Sequence, residues 1–251
     1  MTRVKQYIII LLILGSLVFL FGPEVIPDDF QPQEILDVAA NSDVIIIFNS
    51  GGWGNTPLEK AEDFSPIIEG IQETLNEWGY NSVVVPYVRV KDDFTGKITG
   101  IKEFFNSFRS SSEDLAEKIE IINKKLPDKK IIIAGLSNGA TFAVETYEKI
   151  SEDAKDSVYA IAAGAPFWIE TVKSDNVLQL DNAGKDTLAI GEAKSLLLSL
   201  FGAPFRWILT KLDTQNVNFS RISQIAAGHY YSWSSLEVNS QIVTFLGKKF
   251  R

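Results

Sequence analysis

Short runs of β-branched residues alternate along the chain with longer stretches of helical periodicity. "VIIIF" at 44–48 is a continuous apolar run, the pattern of a strand buried on both faces. A glycine-rich stretch, "NSGGWGNTP", follows it. Ser65 and Pro66 then carry N-cap and first-turn chemistry. Ile67, Ile68, Ile71, Leu75 and Trp78 recur at helical spacing up to Gly79. "NSVVVPYV" at 81–88 predicts the next strand. Residues 100–126 predict a helix, with Ser111 and Asp114 spaced as a capping box and Leu115, Ile119, Ile122 and Leu126 on one face. "KIIIAG" at 130–135 predicts a third strand, 138–150 a helix, "SVYAIAAGAP" at 157–166 a fourth strand and "NVLQL" at 176–180 a fifth. Residues 188–212 predict helix broken near Pro204, 219–227 a sixth strand, and about 236–250 a last helix.

Strands that alternate with helices imply an α/β fold: a mostly parallel sheet of about six strands, covered on both faces to make three layers. Sites in such sheets form beyond the carboxyl ends of the strands. The N-terminus has a different pattern. Arg3 and Lys5 precede an uncharged run from Tyr7 to Gly22, which reads as a membrane anchor or a signal segment over 1–22. No small-x-small cleavage site follows the run, which favours an anchor. Positive charge before the run and acid after it place the domain on the extracytoplasmic side; cleavage would release it as a secreted protein. Residues 23–42, with three prolines and five acids, predict a linker, and 43–251 the folded domain.

Composition narrows the chemistry. The net charge is −8 and no basic stripe is present, which excludes a nucleic-acid partner of the usual kind. The chain has no cysteine, so disulfides, thiol catalysis and cysteine-based zinc sites are excluded. With one histidine, His229, no multi-histidine metal site can form. No metal and no organic cofactor is expected.

One stretch carries a nucleophile's pattern. Gly135-Leu136-Ser137-Asn138-Gly139 closes a buried strand and opens a helix, where a G-x-S-x-G turn lifts a serine hydroxyl above the sheet. A plain strand–helix turn with Ser137 as a helix cap is the alternative. A serine needs a base, and the only histidine lies in "AAGHYYSW", after the last predicted strand. The third member is an acid between them. Asp186, at the turn after the fifth strand, is preferred, and Asp181 at the strand's end is the alternative. Either aspartate also suits a helix N-cap. Gly51, Gly52 and Trp53, in the loop after the first strand, are candidate backbone donors to an oxyanion, together with the N–H of Asn138. An ordinary turn is the competing reading of that loop. It is not a phosphate loop, because no Lys-Ser/Thr follows at the required spacing.

The order Ser137, Asp186, His229, with the elbow and the glycine-rich loop, resembles the α/β-hydrolase family over about residues 43–250. Asn49 and Ser50 stand where a histidine often precedes that loop in lipases and esterases. The resemblance implies a three-layer α/β-hydrolase-like sandwich and a serine hydrolase, of carboxylesterase or lipase type, that cleaves an ester, thioester or related acyl bond through an acyl-enzyme. It implies no cofactor. A small-molecule or lipid-like acyl substrate and a membrane contact through residues 7–22 are the expected partners. Trp53, Phe167, Trp168, Tyr230 and Trp233 are aromatics near the expected site, and they favour an acyl or aryl group. Acyl transfer or peptide cleavage with the same triad, and a non-catalytic membrane-tethered binding module of the same fold, are the rival readings.

Overall fold

The computed structural model describes residues 30–167, 169, 172–191 and 228–251. The anchor or signal segment expected at 1–22, nearly all of the helix expected from 188 to 212, the sixth strand expected at 219–227 and Trp168 lie outside the described residues. Among the described residues, no helix is long and apolar enough to cross a membrane.

Five strands form the sheet: β1 (Val44–Asn49), β2 (Ser82–Tyr87), β3 (Lys130–Leu136), β4 (Val158–Ala163) and β5 (Val177–Leu180). Their order is β2-β1-β3-β4-β5, and all four pairings are parallel. Between the strands run α2 (Ser65–Glu77), α3 (Phe94–Phe105), α4 (Arg109–Lys125), α5 (Asn138–Lys149) and the short α6 (Glu152–Lys155). Helix α1 (Pro32–Ala39) precedes the sheet and α7 (Leu236–Phe250) ends the chain.

The pleat sorts the β1 side chains into the two outer layers. Val44, Ile46 and Phe48 pack with α2 and α7 through Ile67, Ile71, Leu75, Val238 and Ile242. Ile45 and Ile47 pack on the opposite face with α1, α4 and α5 through Ile35, Leu115, Ile119 and Phe142. All six β1 positions are buried, which is why the run reads as continuous rather than alternating. β2 lies at the sheet edge and carries Pro86 opposite Phe48. Proline lacks the N–H that an inner strand would have to donate, so the edge is where it fits.

Three local expectations change. The stretch read as linker contains α1, whose Ile35 and Ala39 are buried and whose neighbour Phe30 meets Tyr87 edge-on at 5.1 Å between ring centroids. Proline at the start of a helix is compatible with it, so Pro32 opens α1 rather than forbidding it. The helix expected over 100–126 is two, α3 and α4, broken where Ser107 and Phe108 take φ of 52° and 56°. Phe108 is held there by burial: it lies edge-on to Phe142 and under the Arg89 guanidinium. Ser111 is therefore inside α4, with its hydroxyl on the Glu103 carboxylate, and the capping box does not form. At α2 the cap moves by one residue, to Phe64. The helix ends as expected at Gly79 (φ 89°), where Gly79 N–H bonds Asn76 O at 3.0 Å and Tyr80 N–H bonds Leu75 O at 3.0 Å.

Candidate active site

β1 and β3 are neighbours whose following crossovers leave to opposite faces, so the chain parts at their carboxyl ends. A parallel sheet opens a crevice at such a point. The loop after β1 and the turn after β3 both lie there.

Ser137 occupies the turn between β3 and α5 with φ 55° and ψ −117°. A non-glycine residue there costs on the order of 1–3 kcal/mol and persists only where its surroundings enforce it. Here they do. Ser137 N–H bonds Ala163 O at 2.8 Å. A Cβ on Gly135 would run into the Gly139 carbonyl, and one on Gly139 into the carbonyls of Asn49 and Ser50. The two glycines of the motif are thus required by contact with backbone, and α5 is pressed onto the end of β1.

Asp186 and His229 meet beyond the carboxyl ends of β4 and β5. His229 Nδ1 lies 2.8 Å from Asp186 Oδ2, and both side chains are buried. The Tyr231 hydroxyl donates to the same Oδ2 at 2.7 Å. The other oxygen, Oδ1, accepts from the backbone N–H groups of Leu188 (3.0 Å) and Ala189 (3.2 Å). Asp186 therefore organises its own turn with one oxygen and the imidazole with the other. Burial alone would raise its pKa, but the His229 bond and charge, the Tyr231 hydroxyl and the Ala189 N–H outweigh it and hold the carboxyl below its usual range. Burial, together with the Asp186 charge, pushes the Tyr231 hydroxyl far up, so it stays a neutral donor. Asp181 is exposed, and the carboxylate on the imidazole is that of Asp186.

Gly164 joins the two halves. It follows Ala163, which accepts from Ser137 N–H, and it has φ 66°. A Cβ there would lie 2.8 Å from His229 Cε1, 2.8 Å from Tyr231 Cε2 and 3.0 Å from Asp186 Oδ2. The imidazole thus stacks against the strand end whose carbonyl holds the Ser137 backbone. His229 Nε2 is buried with no hydrogen-bond partner among the described residues. The Ser137–His229 hydrogen bond expected of a serine–histidine pair is not formed in this structure. Such bonds are often long in free enzymes and tighten with substrate. Asp63, in the loop before α2, feels the His229 charge, and burial holds its carboxyl above the usual range.

Gly51 lies against the serine turn: a Cβ on it would be 3.2 Å from Leu136 O and 3.8 Å from Ser137 Cβ. Asn138 Nδ2 donates to Gly52 O at 3.1 Å, which ties the loop to the first turn of α5. Asn138 is the first residue of α5, so its N–H has no acceptor within the helix. The Trp53 ring packs on Gly100 of α3 and Trp233 on Gly70 of α2. Trp233 belongs to the core between α2 and α7 rather than to a pocket wall. Phe167 and Tyr230 are exposed.

Two residues here escaped the sequence reading. Tyr231 is one; it lies two beyond His229, and that spacing was the available signal, since side chains two apart share a side wherever a chain runs extended. Arg89 is the other. It is 1% exposed, donating to Ser50 O at 2.7 Å and Asn138 O at 3.1 Å. Burial lowers its pKa to about 10, with the Glu103 and Tyr87 charges opposing, so it stays charged at neutral pH. Its signal was a charged residue inside the apolar run "VVVPYVRV".

No protein-family model matches the chain, and no curated protein matches it. Among solved structures it is similar to a cutinase from Trichoderma reesei bound to a phosphonate inhibitor, with 9% identity, 87% of this chain and 84% of that chain covered, and a TM-score of 0.49. It is also similar to a cutinase-like protein from Cryptococcus sp. at 14% identity, covering 82% of this chain and 94% of that one, TM-score 0.47. An acetylxylan esterase aligns at 14% identity over 56% of this chain and 82% of that one, TM-score 0.39. Likeness this distant transfers no residue role.

Proposed function

We propose that this protein is a serine hydrolase that cleaves an ester, thioester or related acyl bond. The observation that carries the reading is the buried Asp186–His229 pair, with Nδ1 on the carboxylate and Nε2 free to accept, packed on Gly164, whose neighbour Ala163 holds the backbone of a serine in a strained strand–helix turn. In this reading the Ser137 hydroxyl attacks the acyl carbon while Nε2 of His229 takes its proton. Asp186 holds the tautomer and stabilises the imidazolium. Backbone N–H groups of Gly51 and Asn138 receive the developing oxyanion, with Gly52 and Trp53 as further donors. His229 returns the proton to the leaving group, and water then cleaves the acyl-enzyme by the same route. Phe167 and Tyr230, exposed close to the Asp186 turn and His229, favour an apolar acyl or aryl group. The charge pattern of residues 1–22 supports a membrane-anchored protein with this domain on the extracytoplasmic side.

The test compares wild type and Ser137→Ala with a fluorophosphonate probe and then with aryl esters of graded chain length. Wild type is expected to be labelled and to turn over ester. Ser137→Ala is expected to lose labelling and at least about 10⁴-fold in kcat. A folded wild type that resists the probe and hydrolyses none of the esters overturns the reading in favour of a binding module of the same fold.

A further inference from the structure

We propose that Arg89 is a positioning residue that aims the Gly51 N–H at the oxyanion, an inference that rests on the hydrolase reading above. The geometry points to it through the peptide between Ser50 and Gly51. The carbonyl of that peptide accepts from Arg89 Nη2 at 2.7 Å. No peptide bond in the described chain is cis, and in a trans peptide the carbonyl and the N–H point in opposite directions. A guanidinium that holds the Ser50 carbonyl on one side therefore presents the Gly51 N–H on the other. A Cβ built on Gly51 would lie 3.8 Å from Ser137 Cβ, so this loop residue lies close to the serine.

The clamp has further contacts. Nη1 donates to Asn138 O at 3.1 Å, on the residue that follows Ser137. The backbone N–H of Arg89 bonds Gly54 O at 2.8 Å, and a Cβ on Gly54 would fall on the guanidinium itself. One residue thus holds both ends of the 50–54 loop, Ser50 through its side chain and Gly54 through its backbone N–H, and its side chain ties them to the first turn of α5. The Phe108 and Phe142 rings, with centroids 4.8 Å and 5.5 Å from Cζ, pack against the guanidinium. A charge is costly to bury, and this one faces carbonyl oxygens rather than a bidentate carboxylate. Orienting a loop needs that planar fork, which a lysine does not have.

The experiment uses the full chain as wild type, Arg89→Met and Arg89→Lys. It reads kcat and KM on 4-nitrophenyl butyrate, inhibition by phenylboronic acid, whose serine adduct is a tetrahedral anion, and the thermal midpoint. Arg89→Met is expected to lower kcat by about 10- to 100-fold with KM nearly unchanged, since only the transition state uses the donor. Boronate binding should weaken by a similar factor, and Arg89→Lys should recover part of each loss. A folded Arg89→Met whose kcat and boronate affinity match wild type overturns the proposal while leaving the hydrolase reading intact. A loss carried by KM alone does the same. Loss of cooperative unfolding in both variants assigns Arg89 to the fold and overturns it as well. A wild type inert to both esters and boronate overturns the hydrolase reading and this proposal together.

Discussion

Asp186 is the residue at which most of the candidate site converges, and its surroundings make a pH-dependent claim. Its carboxyl titrates below the usual range in the folded protein. A group with a depressed folded pKa contributes stability that is present above its unfolded value, near 4, and is lost as pH falls through the folded one. Tyr231→Phe removes one of the bonds to Oδ2. The variant is expected to lose about 1.5–3 kcal/mol near pH 7, the usual cost of a hydrogen bond to a charged group. The loss should shrink as pH falls below the unfolded value and through the folded one, as the carboxyl in both proteins takes up its proton. Urea unfolding across that range checks this; an equal loss throughout assigns Tyr231 to packing alone. Ser137 and Asp186 stood out as candidates because each follows a strand that an apolar run marks, and His229 because it is the one histidine of the sequence. Arg89 was not legible in its role. Its partners are backbone carbonyls 39 and 49 residues away, and a carbonyl leaves no signature in residue type.

At the scale of elements, the fit of α5 against the end of β1 is set by Gly139. Gly139→Ala puts a methyl group against the carbonyls of Asn49 and Ser50, which are backbone and cannot rotate away. The variant is expected to be less stable by about 1–3 kcal/mol, the usual cost of overpacking. It should also lose activity on aryl esters beyond what its unfolded fraction explains, because the Gly51 loop moves with β1. Denaturant curves and kcat measured on the folded fraction separate the two effects. Strands β1 to β5 were legible because β-branched runs bounded by turn residues mark them. The break at Ser107 and Phe108 was not, since it comes from Phe108 reaching the Phe142 ring and Arg89, contacts made across the fold rather than along the helix.

For the whole molecule, the boundary of the domain matters. A chain that begins at residue 43 lacks Phe30, Ile35 and Ala39, all buried in the layer formed by α4 and α5. It is expected to be less stable than one that begins at residue 30 by about 2–4 kcal/mol, given about 1.5–3 kcal/mol for each large buried side chain and the ordering cost of α1. Comparison of their urea midpoints tests this. The proline count concealed α1, because Pro32 marks a helix start as readily as a linker.

The β2-β1-β3 order also has a consequence for synthesis. β1 is the most completely buried strand, yet its inner neighbour β3 is far downstream, as the 85-residue separation of Asn49 and Ala134 shows. At ribosomal rates of about 5–20 residues per second, the "VIIIF" segment waits on the order of 4–17 s for that partner. Until then, among the described residues, β2 is the one strand available to it, and the pair lacks both the inner strand β3 and the cover of α5 that follows β3. The nascent chain is therefore most prone to aggregation between the emergence of β1 and that of β3, and a holdase that acts during translation should raise the yield of folded protein more than one added after release.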